Sequence, residues 1–424
     1  MATELDLTIE RHAESAFAFL ERLVNAPSTV GQEQSALEVF AEELDSLDFK
    51  VTRLPFPTGQ PADSRSGIAP QLPSAAPRYQ VLGTTPGNRP LTLLLNGHMD
   101  VVPAESPALW TTPPFTASRR DGQMFGRGTG DMKGGFALGV LALRALKDLR
   151  PQLFTGIRRL GFLAVIEEEC TGNGTLLAGS EHGVTADAVV LLEPTDLGVL
   201  LGGVGVLWVE LEVTGAAAHA ESAHQITNPV ELGLRIVSAL RDWCAALAET
   251  VSDPTLREVP SPYNVNLGTV HAGDWTSSVP AVARLSVRIG FPRSWSPSYA
   301  ESQVREFIAS TTANDVDFAV SPRVTTTGLR AAGYTISPQS ELVSALAVAH
   351  RDAHGETLHT FTMGSTTDAR TYLNDFGVPA ACYGAVSHNI HGVDESVELQ
   401  SIIDGARTLA RFLLARFEPV TATE

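Results

Sequence analysis

Histidine and carboxylate side chains gather at the ends of three apolar segments. Asn96-Gly97-His98-Met99-Asp100 follows LTLLL, Glu167-Glu168-Glu169 follows LGFLAVI, and Glu193-Pro194 follows AVVLL. His98 and Asp100 are two positions apart, so on an extended strand exit both side chains point to one side. One can then bind a metal while the other hydrogen-bonds the opposite ring nitrogen and fixes its tautomer. Alone, such a pair reads more simply as local stabilisation. Three successive carboxylates after an apolar strand are harder to attribute to packing, because like charges at a buried edge are costly unless cations neutralise them. One of them can ligate a metal while its neighbour stays free to take a proton from a bound water. In open α/β sheets ligands collect outside the carboxyl ends of the strands, which brings these distant positions to one rim.

Asp131 lies in Gly126-Arg127-Gly128-Thr129-Gly130-Asp131-Met132-Lys133-Gly134-Gly135, just before a helical pattern. The glycines permit positive φ and close backbone approach, so a single carboxylate there can sit between two cations. A helix N-cap is the competing reading. A phosphate-binding turn is set aside, since the spacing matches neither a P-loop nor a dinucleotide fingerprint. His388 and His391, in Ser387-His388-Asn389-Ile390-His391-Gly392-Val393-Asp394-Glu395, both invite a metal, and spacing does not choose between them. His219, in Gly215-Ala216-Ala217-Ala218-His219-Ala220-Glu221, is far from the other clusters and as an isolated histidine reads as a solvated loop residue.

The elements that must carry these groups follow from hydrophobic period. Ile9, Ala13, Ala16, Phe17, Leu20 and Val24 share one helical face, and Ala36, Leu37, Phe40 and Leu44 share another. Pro55 to Pro90 is rich in Pro, Gly and Ser and reads as an irregular surface excursion without chemistry. The three short apolar runs suit strands buried on both faces, and GGFALGVLALRALKDL supplies a crossover helix between the first two. The fold class is therefore α/β, with a mostly parallel sheet flanked by helices. Near Gly203 the pattern changes. GVLWVELEVTG, NVNLGTV, ARLSVRIGF and VDFAV read as strands and two amphipathic stretches between them as helices, the βαββαβ order of a small split-βαβ, ferredoxin-like insertion. PAACYGAV and the amphipathic SVELQSIIDGARTLARFLLARF then resume the larger unit. The division is 1–203 and 328–424 for the catalytic domain and 204–327 for the inserted one.

A chain of 424 residues, 43% hydrophobic and 18% charged, can bury a large core. Its formal charge of −18 repels phosphate backbones, which argues against nucleic acid. The amino terminus is acidic where a signal peptide is basic, and no apolar run approaches the ~20 residues that span a bilayer. Cys170, Cys244 and Cys382 are widely spaced and odd in number, which suits reduced thiols and a cytoplasmic location.

GHMDVVP, GRGTGDMKGG, EEECTGNG, LLEPT and HGVDE, in this order across nearly the whole chain, resemble the metallo-deacylase and exopeptidase family that includes acetylornithine deacetylase, succinyl-diaminopimelate desuccinylase, aminoacylase and glutamate carboxypeptidase. The resemblance implies a zinc-exopeptidase-like fold holding two divalent cations, zinc first, with cobalt or manganese as alternatives. It implies that Asp131 bridges the ions, with His98 and Glu193 completing one site and Glu169 and His391 the other. Glu168 is then the general base, Asp100 orients His98, and the Asp131–Met132 peptide is cis. The inserted domain resembles a lid and dimerisation module, from which His219 reaches the partner's active site in a homodimer and stabilises the oxyanion. Asn266, Arg288 and Arg370 are implied as polar positions for a substrate carboxylate. Glu167 stands where many relatives have aspartate, and Cys170-Thr171 precedes the glycine, which leaves the acyl group and the amine open.

The expected activity is hydrolysis of a small N-acyl amino acid or related amide. The rivals are a dipeptidase or carboxypeptidase on the same scaffold, a one-metal protein, and a catalytically silent metal or small-molecule binding protein. Retention of Glu168, which ligates nothing in this scheme, weighs against the silent reading.

Overall fold

The computed structural model describes residues 3–72, 77–155, 158–313 and 315–417. Its centre is a nine-stranded sheet in the order Lys50–Phe56, Arg78–Thr84, Arg159–Val165, Leu91–His98, Val189–Leu191, Ala380–Cys382, Val199–Gly203 and Tyr334–Thr335, with Thr360–Met363 also beside Val199–Gly203. The inner pairs joining Leu91–His98 to both neighbours, and Val189–Leu191 to Ala380–Cys382, are parallel. Alternation explains why these segments are apolar throughout. Leu93, Leu95, Phe162 and Val190 point into one hydrophobic cluster, while Leu94, Leu163, Val189 and Leu191 point into another on the opposite face.

Helices Glu4–Val24, Gly134–Leu149, Glu341–His354 and Leu399–Phe417 pack side by side on the first cluster. Helix Gly134–Leu149 comes close to the sheet because of its glycines. A Cβ on Gly135 would collide with the Leu192 carbonyl oxygen, so this helix start lies directly against the turn that carries Glu193. Below it, Phe136 meets Phe40 edge-on at 4.9 Å and stacks on Phe162 at 5.5 Å.

A second sheet is wholly antiparallel, in the order Val265–Ala272, Val282–Phe291, Gly205–Thr214 and Arg323–Ala331. Helices Pro229–Thr250 and Pro297–Thr312 pack on it around a core of their own that includes Leu207, Leu211, Ile236, Leu240, Leu285 and Ile308. The βαββαβ order holds, but its last strand is not VDFAV. Asp315 and Asp317 turn their carboxylates to Arg235, at 3.3 and 2.9 Å, and the Phe318 amide closes a turn on the Asp315 carbonyl. The closing strand is Arg323–Ala331, an edge strand too polar to show as an apolar alternation.

The Pro55–Pro90 segment is also more ordered than expected. Residues 73–76 lie outside the described residues, but Arg78–Thr84 is an inner strand, paired antiparallel with Lys50–Phe56 on one side and Arg159–Val165 on the other. Its polar members hid it. Gln80 is buried and donates to the Gly174 carbonyl oxygen at 3.1 Å, and Arg78 is held by Glu33 and Glu167. Among the described residues no helix is long and apolar enough to cross a membrane.

Phe136→Ala removes a ring packed against both Phe40 and Phe162 beneath the Asp131 turn. It is expected to lower unfolding free energy by about 3–5 kcal/mol, measured as a shift in the urea midpoint by circular dichroism.

Candidate metal centre

The carboxyl ends of Leu91–His98, Arg159–Val165 and Val189–Leu191 open on one rim. His98 ends the first strand, Glu167 to Glu169 follow the second, and Glu193 follows the third. Asp131 joins them from the turn before helix Gly134–Leu149, across a cis peptide to Met132. Its two carboxylate oxygens face different partners, with Oδ1 at 2.9 Å from His98 Nε2 and Oδ2 at 3.4 Å from His391 Nε2. Glu193 lies 3.8 Å from the same His98 nitrogen, and Glu169 lies 3.0 Å from His391 Nε2. Two triplets result, His98–Asp131–Glu193 and Asp131–Glu169–His391, each with one potential ligand atom per residue and all within 4.8 Å of one another. His388 points elsewhere, to Glu398 at 2.9 Å.

Each of these side chains is held from behind. The His98 Nδ1 edge meets the Asp100 backbone carbonyl oxygen at 2.9 Å, while the Asp100 carboxylate is 3.9 Å away and accepts instead from the amides of Glu168 and Glu169, at 3.3 and 3.1 Å. Asp100 thus touches both strand ends at once. Glu395, fully buried, accepts the amides of Gly130 and Asp131 at 2.9 and 3.0 Å and pairs with buried Arg127. Arg127 in turn donates to the carbonyl oxygens of His391 and Gly392, at 3.2 and 3.1 Å. That pair ties the Asp131 turn to the loop in which His391 adopts a left-handed φ of 63°. Glu167, the first of the three glutamates, turns away at φ 64° and is neutralised by Arg78. Lys133 is buried, donates to the carbonyl oxygens of Leu23 and Ala26, and is pushed by burial to about 7. Arg127 and Glu395 stood inside the motifs read from sequence without an assigned role, and Arg78 gave no local signal at all.

The charges at this rim are unbalanced. Burial raises the Glu193 carboxyl to about 8 and holds Glu168 well above the usual carboxylate range. Burial would also raise Asp131, but hydrogen bonds with His391 and His98 overcome it and leave that carboxyl below its usual range. Partial burial would lower His391, yet its contacts with Asp131 and Glu169 push it up to about 11, and His98 is raised likewise by Asp131 and Glu193. In this form the chain uses protons as counter-charges. Two imidazoles and three carboxylates, with one carboxylate facing both ways, are the donor set that a pair of divalent cations takes, and such a pair would remove the need for those protons.

Glu168 stands beside the two triplets and lines both cavities that open from them, one of about 260 Å³ and one of about 490 Å³. Asn266 and Arg288 line the larger. Arg370 does not. It lies under Gly172 beside Asp368, 3.4 Å away, and lines a separate cavity of about 250 Å³. His219 is exposed on the small Ala218–His219 strand, its Nδ1 accepting the Glu221 amide at 3.2 Å, and lines neither cavity.

The model of peptidase family M20/M25/M40 matches residues 94–415. A succinyl-diaminopimelate desuccinylase of Methylobacterium sp. (strain 4-46) is 31% identical over 413 residues, covering 95% of this chain and 96% of that protein. The di-peptidase Dug1p of Saccharomyces cerevisiae superposes with a TM-score of 0.80 at 15% identity, covering 98% of each chain. Human carnosine dipeptidase 1 superposes with 0.76 at 16% identity, covering 97% of this chain and 98% of that one. At such identities the two structures speak for the fold alone.

Ligation requires bare imidazole nitrogens, whereas His98 and His391 hold protons at neutral pH in the metal-free chain. Titration with Zn²⁺ at pH 7 should therefore release protons, seen as a calorimetric heat that scales with buffer ionisation enthalpy, and affinity should rise with pH. Binding without proton release would remove these histidines from the ligand set. Glu395→Ala leaves the Gly130 and Asp131 amides without their acceptor and the Arg127 charge without its counter-ion, and should weaken zinc binding about 10–100-fold in chelator competition.

Proposed function

The chain belongs to the peptidase family M20/M25/M40, metal-dependent hydrolases of amide bonds, and we propose that it is a deacylase of N-acyl amino acids. The observation that carries this reading is Asp131, whose two oxygens are shared between two histidine–carboxylate triplets while Glu168 stands free beside them. His98 and Glu193 would hold one cation, Glu169 and His391 the other, and Asp131 both. Zinc suits this set best, with cobalt and manganese as substitutes. Bound there, the cations would supply a hydroxide near neutral pH and polarise the amide carbonyl.

The chain's own residues then handle the proton. Glu168 takes it from the attacking water and returns it to the amide nitrogen as the C–N bond breaks. Its position fits this task, since it lines both cavities beside the two triplets and is a member of neither. Asp100 keeps the Glu168 and Glu169 backbone and the His98 ring in register. The inserted module, which runs to the end of strand Arg323–Ala331 rather than to residue 327, acts as a lid and dimerisation module. In the role that the family resemblance implies, His219, exposed and outside both cavities of its own chain, serves a second copy, donating to the oxyanion there in a homodimer. Arg288 and Asn266 receive a substrate carboxylate, whereas Arg370, beside Asp368 in a separate cavity, does not. The free thiols of Cys170, Cys244 and Cys382 accord with a cytoplasmic location.

The desuccinylase relative supports a deacylase over a peptidase, because its likeness extends to sequence across both chains. Dipeptide cleavage is the second reading, favoured by the fold shared with two dipeptidases. A panel of N-acetyl, N-formyl and N-succinyl amino acids beside dipeptides separates them, with turnover expected on the acyl compounds. Glu168→Gln should keep its metal content and lose about 10²–10⁴-fold in kcat. Full activity in that variant would take Glu168 out of the mechanism.

A further inference from the structure

The cluster opens in two directions. Glu168, Glu169, Ser365, Thr366 and His391 line both the cavity of about 490 Å³ and the one of about 260 Å³. A scissile amide held beside Glu168 therefore sends its acyl and amine arms into different surroundings. In the larger cavity Arg288 donates to the Gly364 carbonyl oxygen at 2.9 Å and to the Asn264 side-chain oxygen, both neutral acceptors. No carboxylate among the described residues pairs with it, so its charge is free for an anionic group of the substrate.

The smaller cavity has no counterpart. Beyond the cluster itself its wall is Leu200, Phe361, Met363 and Ile390, with a few threonine and serine hydroxyls, and among the described residues no lysine or arginine lines it. Phe361 and Met363 sit on Thr360–Met363, which is hydrogen-bonded along Val199–Gly203, the strand of Leu200. Three of the four apolar wall residues thus sit on paired strands, and Ile390 comes from the loop that carries His391. A carboxylate reaching past the cluster would meet Leu200, Phe361, Met363 and Ile390 and, among the described residues, no lysine or arginine, a costly place for an unpaired charge. An uncharged hydrocarbon arm covers the wall at no such cost.

We propose that the substrate carries its carboxylate on one side of the scissile amide only, and that the Leu200–Phe361–Met363 cavity takes an uncharged apolar arm on the other. This rests on the deacylase reading above and adds the substrate class. A compound with carboxylates on both sides strands one of them in the apolar cavity whichever way round it binds. The chain therefore differs in specificity from a desuccinylase.

N-butanoyl-L-alanine and N-succinyl-L-alanine form the test pair, since they share a four-carbon acyl chain and differ in its terminal methyl or carboxylate. With the zinc-loaded full-length protein, kcat/KM should favour the butanoyl compound by about 10–100-fold, in the range for a pocket that reads one such group. Met363→Arg, and independently Phe361→Lys, should shrink or invert that ratio by placing a cation in the wall. An equal or higher value for the succinyl compound overturns the inference, as does an unchanged ratio in both variants when their circular dichroism matches the parent. Cleavage of dipeptides with no hydrolysis of either acyl compound would instead sink the deacylase reading, and this inference with it.

Discussion

Too much negative charge is packed into too small and too dry a space for the rim of the central sheet to be stable by itself. Asp100, Asp131, Glu168, Glu169 and Glu193 converge there with two histidines, and Asp368 stands behind them. Like charges brought out of water must be protonated, paired or joined by cations. The metal-free chain takes the first course, which is why two imidazoles and two carboxyls are displaced toward their protonated forms. The surrounding fold fixes this arrangement, with one potential ligand atom per residue within 4.8 Å of the others in each triplet.

Two buried ion pairs show how the fold does so. Arg78 is neutralised by Glu33 and Glu167, and among the described residues no arginine or lysine pairs with the two following glutamates. Arg127 and Glu395 neutralise each other, and their remaining hydrogen-bonding capacity fixes the backbone on which Asp131 and His391 are mounted. Neither pair faces the substrate cavities, and removing one partner would leave a buried charge uncompensated. Their function is to make the positions of other residues non-negotiable.

Much of this was legible in the sequence because the parallel strands carry the plainest signal a sequence has. A strand buried on both faces must be apolar throughout, so LTLLL, LGFLAVI and AVVLL announced themselves together with the polar residues that end them. Arg78–Thr84 belongs to the same sheet but carries a buried glutamine and a buried arginine, satisfied by partners far away in sequence, so it resembled a loop. Arg323–Ala331 was hidden for the opposite reason, since an edge strand half open to water needs no apolar alternation. Long-range partners explain the site as well. His391 and His388 are equivalent by spacing, and only the folded loop turns one toward Asp131 and the other toward Glu398.

The two connections of the antiparallel module deserve a last consideration. The chain leaves the central sheet at Gly203 and comes back at Tyr334, and these two residues are direct antiparallel partners. The intervening stretch therefore enters and leaves through one pair of adjoining strands, although it also touches the body through the Ile68–Gly328 bridge and the Arg288–Gly364 hydrogen bond, and the strand order of the central sheet does not run through it. Such an architecture is a cassette. Evolution can lengthen, exchange or delete what hangs there while the hydrolytic body keeps its connectivity, and an engineer could graft another recognition element onto the same two-strand stalk.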